Sequence, residues 1–373
     1  MGEPRLPRLF YNSSVRTWDV IIVGGGIIGL SLALALRKRR ASVLVVERGE
    51  PGREASHAAG GMLVDCPLET PAALQSLARA SAQMYPEFAH ELEMESGGKV
   101  DLRDFGTILF ASPGDASSLG SEAQLTSAAL AELEPALKSE AGAVFLKERS
   151  VDPRALAAAA FKAAKHRGVD FSSGDPVAGI ELGNGRVCAV VTAKTSFAAN
   201  KVVNCAGAWA GQIGPLAFPT RPVKGQMLCL AMASRALLKH VIRSPKAYLI
   251  PRSDGRLLVG ATVEEAGFDK RTDAETIQRQ HRAAIELVPK LAEAKILEDW
   301  AGLRPGTPDG LPILGETGTR GYFVATGHFR DGILLAPVTA AIMADIVSGD
   351  RPAFDIAAFS AARFENAGVP LKR

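Results

Sequence analysis

The chain has 373 residues, of which 47% are hydrophobic and 22% charged, and its formal net charge is +3. This length suggests about two domains with a sizeable core. The composition is that of a globular protein, and the small net charge gives no support for nucleic-acid binding. We therefore expect no nucleic-acid partner.

The four cysteines are scattered and form neither a CxxC pair nor a Cys–His motif: Cys66, Cys188, Cys205 and Cys229. This pattern favours a reducing compartment, so we expect a cytoplasmic protein, and it argues against a disulfide framework or a metal site. The uncharged stretch 20–36 is interrupted by glycines and is shorter than the roughly 20 residues of a membrane span. Residues 1–17 lack periodicity and are expected to form a loose N-terminal tail.

The first elements alternate strand and helix. "DVIIVGGGIIGLSLALALRKRR" (19–40) predicts a strand, a glycine turn and a helix, and "ASVLVVER" (41–48) predicts a second, parallel strand. "VDPRALAAAAFKAAKHRGV" (151–169) predicts a helix capped by Asp152, with Pro153 at its first position and Gly168 at its end. "GRVCAVVTA" and "KVVNCAGAW" predict further strands.

The pattern changes after residue 221. "VKGQMLCLAM", "AYLIPRSDGRLLVGATV" and "GYFVATG" predict antiparallel strands, with a turn at Ser253–Gly255. Residues 272–291 predict a polar helix. "GHFRDGILLAPVTA" (327–340) predicts a helix that enters apolar surroundings with Arg330 and Asp331 at its start.

This order of elements predicts an α/β fold (α+β overall) of two interleaved domains. A discontinuous Rossmann-like nucleotide-binding domain is expected over 18–84, 151–219 and 301–368. An antiparallel-sheet substrate domain is expected over 85–150 and 220–300.

Gly24, Gly26 and Gly29 form a GxGxxG motif between the first strand and its helix, and Glu47 ends the second strand 18 residues later. Gly24 allows the tight turn, Gly26 lets a pyrophosphate approach, and Gly29 lets the helix pack closely on the strand. The helix N-terminus then faces the phosphates, and the Glu47 carboxylate accepts hydrogen bonds from ribose hydroxyls. The motif predicts a dinucleotide site, because a turn used only for packing would leave Glu47 unexplained.

The motif alone does not separate NAD from FAD. Two features favour FAD. The fingerprint is near the start of the chain, and no catalytic domain is expected before it. The loop "SHAAGGML" (56–63) consists of small residues whose backbone can approach a flat ring closely.

Several ordered blocks resemble the D-amino-acid-oxidase-type flavoproteins, and within them the glycine oxidases of thiamine biosynthesis. These blocks are "VIIVGGGIIG", "AAGGML", "RPVKGQ", "YLIPRSDGRLLVGAT", "WAGLRPGTPDGLPILG" and "GHFRDGILLAP". The resemblance implies a discontinuous FAD domain with an antiparallel sheet that covers the flavin. It also implies non-covalent FAD, because the "GLRPGT" region lacks the cysteine that attaches FAD in sarcosine-oxidase relatives.

The resemblance implies that the helix after "HFRDG" directs its N-terminus at the N1/O2 edge of the flavin, where Ile333 and Leu334 supply N–H groups. The residues expected at the cofactor are Gly24, Gly26, Ile27, Ile28, Gly29, Glu47, Arg48, Ser56, Ala59, Gly60, Gly61, Met62, Val177, Ala206, Gly207, Gly302, His328, Arg330, Asp331, Gly332, Ile333 and Leu334.

The resemblance also implies that Tyr248 and Arg304 hold a substrate carboxylate, with Arg330 on the substrate side of the ring. An arginine fork matches a carboxylate bidentately. Other interpretations stay open. Arg304 is a structural arginine if Asp299 or Asp309 pairs with it. Tyr248 suits a half-buried strand in any case, and Arg330 suits a loop cap or the surface.

We assign no general base, although His57 and His328 are candidates, because a neutral substrate amine lets the Cα hydrogen leave as hydride to flavin N5. Lys224 belongs to a family motif and has a structural role as an alternative. Two departures leave substrate size and oxygen reactivity open. Lys246 replaces a histidine of glycine oxidase. Val263 lies where sarcosine-oxidase relatives have a lysine and glycine oxidase has a methionine.

The resulting hypothesis is an FAD-dependent amine oxidase for glycine, sarcosine and D-alanine, with dioxygen as acceptor. Its products are an oxo acid, ammonia or an amine, and hydrogen peroxide. One alternative is a dehydrogenase for D-amino or 2-hydroxy acids with another acceptor. A second is a non-catalytic flavin-binding assembly factor, which would keep the nucleotide motif and lose Tyr248 and Arg304. A homo-oligomer is possible under each hypothesis.

Overall fold

The computed structural model describes residues 17–120, 123–138 and 142–367, so the predicted tail at 1–17 lies outside the description except for its last residue. Over these ranges no helix is both long and apolar enough to cross a membrane. The α-helices are α1 (Ile27–Lys38), α2 (Ala55–Ala58), α3 (Gln75–Ser96), α4 (Pro113–Ser118), α5 (Ser127–Leu133), α6 (Pro153–His166), α7 (Ala274–Leu287) and α8 (Ala336–Ser348).

Two large sheets contain most of the strands. In chain order the strands are β1 (Val20–Val23), β2 (Val43–Glu47), β3 (Met62–Leu63), β4 (Thr107–Phe110), β5 (Ala143–Leu146), β6 (Arg149–Ser150), β7 (Asp170–Ser173), β8 (Val177–Gly183), β9 (Arg186–Thr192), β10 (Ser196–Ala198), β11 (Val202–Asn204), β12 (Arg221–Ala231), β13 (Val241–Arg243), β14 (Tyr248–Pro251), β15 (Arg256–Gly260), β16 (Lys295–Gly306), β17 (Ile313–Glu316) and β18 (Tyr322–Thr326).

The first sheet has six strands in the order β17-β18-β11-β1-β2-β7. All neighbours are parallel except β17, which runs antiparallel to β18. The predicted βαβ unit β1-α1-β2 is therefore confirmed. The sequence "GYFVATG" was predicted to form an antiparallel strand. This prediction is wrong for one of its two neighbours, because β18 pairs in parallel with β11 and antiparallel with β17. A central position buries both faces of β18, and its near-continuous apolar composition suits that position.

The first sheet forms the middle of three layers. Successive residues of β1 point to opposite faces, so Val20 and Ile22 pack against the helices while Ile21 and Val23 face the other side. On the helical side lie α1, α3, α6 and α8. The other side is covered by the three-stranded sheet β10-β9-β8. Asp152 caps α6 as predicted, because its carboxylate accepts a hydrogen bond from the N–H of Arg154.

The second sheet has seven strands in the order β16-β12-β15-β14-β13-β4-β5. It is antiparallel except for the pair β13–β4. The predicted hairpin β14–β15 turns at residues 252–255. On β12, Leu228 and Leu230 pack towards α7, while Met227 and Cys229 face the opposite side. The predicted helix at 272–291 ends earlier, at Leu287, and a 3-10 turn follows.

The predicted helix over 327–340 starts later than expected, at Ala336. Pro337 has no N–H, so it cannot donate to the carbonyl of Ile333, which instead accepts a hydrogen bond from the Tyr85 hydroxyl at 2.6 Å. The Ser81 hydroxyl donates to the carbonyl of Leu334 at 2.6 Å and accepts from the next N–H of the helix. These contacts from α3 replace the first helical hydrogen bonds, so residues 332–335 form turns.

The boundaries of the two predicted domains remain a prediction. Boundaries placed between residues 84 and 85 and between 300 and 301 fall inside α3 and β16, and both elements run through them without a break.

Gly29→Ala tests the close packing of α1 on β1. A Cβ at this position would lie 2.1 Å from the backbone oxygen of Gly24, which cannot move without distorting the turn. We expect the free energy of unfolding to fall by about 3 kcal/mol or more, measured by urea denaturation. Gly318→Ala is the control, because a Cβ there meets nothing within 4 Å. Equal stability of the two variants would contradict this packing.

Candidate active site

A cavity of about 350 Å³ lies between the two large sheets. The carboxyl ends of β1, β2 and β11 form one wall, as expected for a nucleotide site in a parallel sheet. The second sheet forms the other wall, with Met227, Tyr248 and Arg304 facing the cavity. The cavity therefore extends from the predicted dinucleotide motif to the predicted carboxylate clamp.

The Glu47 carboxylate holds the glycine turn in place. One oxygen accepts the N–H of Gly25 at 2.7 Å, and the other accepts the N–H of Gly49 at 2.9 Å. Ser56 supports the same turn, because its Oγ accepts the N–H of Ile27 at 2.9 Å. Each carboxylate oxygen has two lone pairs, so Glu47 keeps acceptor capacity at the cavity surface.

Most of the residues predicted for the cofactor lie in the cavity wall. Gly29 and Leu334 do not. Gly29 lies one turn inside α1 and contributes close packing, and Leu334 is buried in the helical core. The residues brought together are Gly24, Gly26, Ile27, Ile28, Glu47, Arg48, Ser56, Ala59, Gly60, Gly61, Met62, Val177, Ala206, Gly207, Gly302, His328, Arg330, Asp331, Gly332 and Ile333.

Residues 332–334 supply hydrogen-bond donors without acceptors. The backbone N–H groups of Gly332, Ile333 and Leu334 donate to no other residue of the described ranges. The next N–H along the chain, that of Leu335, donates to the carbonyl of Asp331. Gly332 and Ile333 line the cavity, so their free N–H groups offer a concave site for a negatively charged or carbonyl oxygen. Together with the Glu47 carboxylate in the wall formed by the first sheet, these groups fit a dinucleotide cofactor with a polar ring edge.

Tyr248 and Arg304 lie together, as predicted. The Arg304 guanidinium crosses Gly225, where a Cβ would lie 2.3 Å from Nη1, and Nη1 donates to the carbonyl of Thr262 at 3.0 Å. Burial raises the pKa of Tyr248, while the cationic Arg304 opposes that shift.

The two carboxylates that would have made Arg304 a structural residue have other partners. Asp309 pairs with Arg363 at 2.7 Å, and Asp299 accepts the Thr272 hydroxyl at 2.5 Å.

The histidines are not placed to act as strong bases. His328 is 3% exposed, its Nε2 lies 3.1 Å from the Thr339 hydroxyl, and burial lowers its pKa to about 3. Burial also lowers the pKa of His57. Both imidazoles are therefore neutral near pH 7. Arg330 lines the cavity with an exposed side chain, and burial raises the pKa of the adjacent Asp331 to about 6, against the opposing charge of Arg330.

The two departures from the family pattern differ in position. Val263 lines the cavity and is 64% exposed. Lys246 does not line it, because its Nζ pairs with Glu286 at 2.9 Å on the outer side of the sheet. Lys224 is buried beside the Glu264 carboxylate, at 3.9 Å, which favours a structural role.

Several charged, polar and aromatic residues of the wall were not predicted from the sequence, among them Glu54, Glu69, Trp209, Arg243 and Ser244. Arg243 lies directly across the hairpin from Tyr248 in the strand register, so its position follows from the "VIRSPKAYLIP" hairpin. Trp209 stacks under the Arg48 guanidinium at 3.5 Å from the ring centroid. Glu69 comes from a distant loop, and no local pattern indicated it.

A buried arginine connects the two walls. Arg252 of the second sheet is 1% exposed, and its Nη2 donates to the carbonyl of Gly60 in the small-residue loop at 2.5 Å. The opposing charges that act on it are those of Asp152 and Asp101, and Asp152 also caps α6 and pairs with Arg256 at 2.7 Å. Burial lowers the pKa of Arg252 to about 10, which still leaves it charged at neutral pH.

Comparison with known proteins decides the family. The DAO family model, described as FAD dependent oxidoreductase, matches residues 19–346. The chain belongs to this family. It is therefore an FAD-dependent oxidoreductase, and the predicted cofactor, enzyme class and fold are confirmed.

Individual relatives match this chain over most of its length. Glycine oxidase of Geobacillus kaustophilus is 36% identical over 367 residues, covering 93% of this chain and 97% of that protein. Its crystal structure matches with a TM-score of 0.88 and 35% identity, covering 93% of this chain and 99% of that one. The bifunctional protein ThiO/ThiG of Synechocystis sp. is 38% identical over 93% of this chain, but the match covers only 54% of that protein. The chain thus spans about half the length of that relative.

Glu47→Gln is predicted to weaken FAD binding. The amide keeps the shape but loses the charge that strengthens hydrogen bonds from hydroxyl and N–H donors, each worth about 1.5–3 kcal/mol. We expect the Kd for FAD to rise at least about tenfold, measured by reconstitution of the apoprotein. Unchanged affinity would show that Glu47 only supports the turn.

Asp331→Asn is predicted to remove a pH-dependent loss of stability. The pKa of Asp331 in the folded protein, about 6, is above its ordinary value of 3.8, so folding favours the protonated carboxyl. The contribution of the protonated Asp331 carboxyl to stability is present at pH 4 and is lost as the pH rises through 6. Between pH 4 and pH 7, the free energy of unfolding of the wild type should therefore fall by up to about 3 kcal/mol relative to that of Asp331→Asn. Urea unfolding across this range measures it, and parallel curves would contradict it.

Proposed function

We propose that this family member oxidises the amine of glycine and of small relatives such as sarcosine and D-alanine. The observation that carries the proposal is the Tyr248–Arg304 pair in the cavity wall formed by the second sheet. The two carboxylates that were expected to pair with Arg304, Asp299 and Asp309, have other partners. A cationic fork in a partly buried cavity suits the carboxylate of a small acid. The names of the relatives, glycine oxidase among them, support glycine as that acid.

The clamp would orient the substrate. Thr262 holds Nη1 of Arg304, which leaves the rest of the fork to face the cavity beside the Tyr248 hydroxyl. Arg330 lies at the same cavity and adds positive charge. Binding the carboxylate at two points would fix the direction in which Cα points, and such positioning is the main demand of this chemistry.

FAD, when bound, supplies the acceptor for the hydrogen and the two electrons that leave the substrate Cα. The chain's residues would position the substrate and its amino group rather than remove a proton from Cα. His57 and His328 have lowered pKa values, and neither is needed as a base. The N–H groups of Gly332 and Ile333 would stabilise negative charge that develops at the ring edge.

The imine formed from the substrate would hydrolyse to an oxo acid with release of ammonia or an amine, and dioxygen would leave as hydrogen peroxide. We propose that the glycine product serves the thiazole branch of thiamine biosynthesis, which the likeness to the ThiO/ThiG protein supports. Non-covalent FAD remains part of the proposal.

Anaerobic mixing of the FAD-loaded protein with glycine, sarcosine, D-alanine and glycolate tests the proposal. Bleaching of the flavin absorption band by the three amino acids, and not by glycolate, is expected. Readmission of air should restore the colour and produce peroxide. Bleaching by glycolate alone would favour a 2-hydroxy-acid enzyme, and slow recovery in air would favour an acceptor other than oxygen.

Arg304→Leu is predicted to weaken carboxylate binding while FAD stays bound. Loss of a charged bidentate contact at a partly desolvated site costs about 2–5 kcal/mol. The Kd for acetate, read from the flavin spectrum, should rise about a hundredfold. Tyr248→Phe should have a smaller effect, because it removes one hydroxyl donor.

Arg351→Leu is the control for that measurement, because Arg351 is exposed and does not line the cavity. Its Kd for acetate should equal that of the wild type. Wild-type affinity in Arg304→Leu would exclude Arg304 from the clamp.

A further inference from the structure

A second ionic group lies beside the proposed carboxylate clamp. Arg243 and Tyr248 are directly opposite each other on β13 and β14, so their side chains project from the same face of the sheet. Both line the cavity. The Arg243 side chain is 6% exposed, which makes it a buried cation next to the tyrosine of the clamp.

Two carboxylates share this one arginine. Glu148 is buried and lies with both oxygens near Nη2 of Arg243, at 3.1 and 2.9 Å. Glu69 lies on the other side, with Oε2 2.7 Å from Nη1. Glu148 does not line the cavity, whereas Glu69 does, and its side chain is 34% exposed.

The contact between Arg243 and Glu69 leaves polar capacity unused. Neither Nη1 of Arg243 nor Oε2 of Glu69 has a hydrogen-bond partner of good geometry, although both atoms are buried. Glu148 already compensates the arginine charge. Arg243 therefore fixes Glu69 at the cavity wall through the buried Oε2, and the other carboxylate oxygen, Oε1, is left to accept a donor from the cavity.

We propose that Glu69 binds the amino group of the ligand whose carboxylate is held by Arg304 and Tyr248. Glu69 thereby selects amino acids over 2-hydroxy acids and simple carboxylic acids. This inference rests on the proposed function and names the residue that sets its substrate class. A carboxylate is acceptor-only, so it pairs best with an ammonium, less well with a hydroxyl, and not at all with a methyl group.

Neighbouring charges favour this assignment of Glu69. Asp331 is the other acidic side chain of this part of the wall, and it lies beside the cationic Arg330. The clamp itself carries no carboxylate. Among these residues, Glu69 is the carboxylate that Arg243 fixes in place and whose Oε1 accepts no hydrogen bond from the described residues.

Three unreactive ligands of one shape test the proposal. 2-Aminoisobutyrate, 2-hydroxyisobutyrate and pivalate differ only in carrying an ammonium, a hydroxyl or a methyl group, and none has a Cα hydrogen to lose. Their Kd values are read from the flavin spectrum of the FAD-loaded protein. The wild type should bind them in that order of decreasing affinity. In E69Q the advantage of 2-aminoisobutyrate over pivalate should fall by about tenfold or more.

Control variants separate charge from structure. E286Q removes a surface carboxylate that pairs with Lys246, and it should leave the ratio of the Kd values unchanged. E69D keeps the charge and should keep most of the preference. If E69Q does not retain FAD, E69A serves in its place, because the partly exposed site tolerates a smaller side chain.

The outcomes distinguish this inference from the proposed function. An unchanged preference in E69Q and E69A, with glycine still bleaching the wild-type flavin, would overturn the role of Glu69 alone. Failure of glycine to bleach the wild type would overturn the proposed function first.

Discussion

The buried guanidinium of Arg252 is the contact on which the two halves of the site depend. It brings a positive charge from the second sheet into the interior, and its Nη2–H donates a hydrogen bond to the carbonyl of Gly60, in the loop that lines the cofactor side. A buried charge is costly unless it is paired, and here Asp152 supplies the opposing charge while it also caps α6. One ionic group thus fixes the distance between the loop, the helix and the sheet.

Because the loop and the second sheet are held at a fixed separation, the polar groups of the two cavity walls face a ligand from fixed positions. Donors converge at three places: the glycine turn, the free N–H groups of Gly332 and Ile333, and the clamp formed by Tyr248 and Arg304. Each group is held by the protein before any ligand arrives, as Thr262 holds Arg304. Preorganised dipoles need little rearrangement during a reaction, so the fold contributes positioning and electrostatics while the cofactor contributes the redox chemistry.

Much of this arrangement could be predicted from local sequence. The strand–turn–helix motif, the Asp152 cap and the hairpin at residues 252–255 each depend on neighbours a few positions away, and Glu47 ends the very next strand after the turn that it supports. The start of α8 could not be predicted, because Ser81 and Tyr85 take over its first carbonyls from a helix some 250 residues earlier. The pairing of Arg243 with Glu69 and Glu148 is non-local in the same way. The family resemblance predicted the position of Arg304 at the substrate, whereas the periodicity of the sequence alone could not predict it.

The contact of β16 with α2 limits how the enzyme can open. This strand carries Arg304 at the substrate end and Gly302 against Ala58 of α2, and its Trp300 donates to the Ala58 carbonyl at 3.0 Å. A hinge that separated the second sheet from α2 would have to break this hydrogen bond and the close approach of Gly302 to Ala58. Access to the cavity therefore depends on side chains at its rim, Val263 and Arg330 among them, and a small ligand would enter by local side-chain rotation rather than by domain movement.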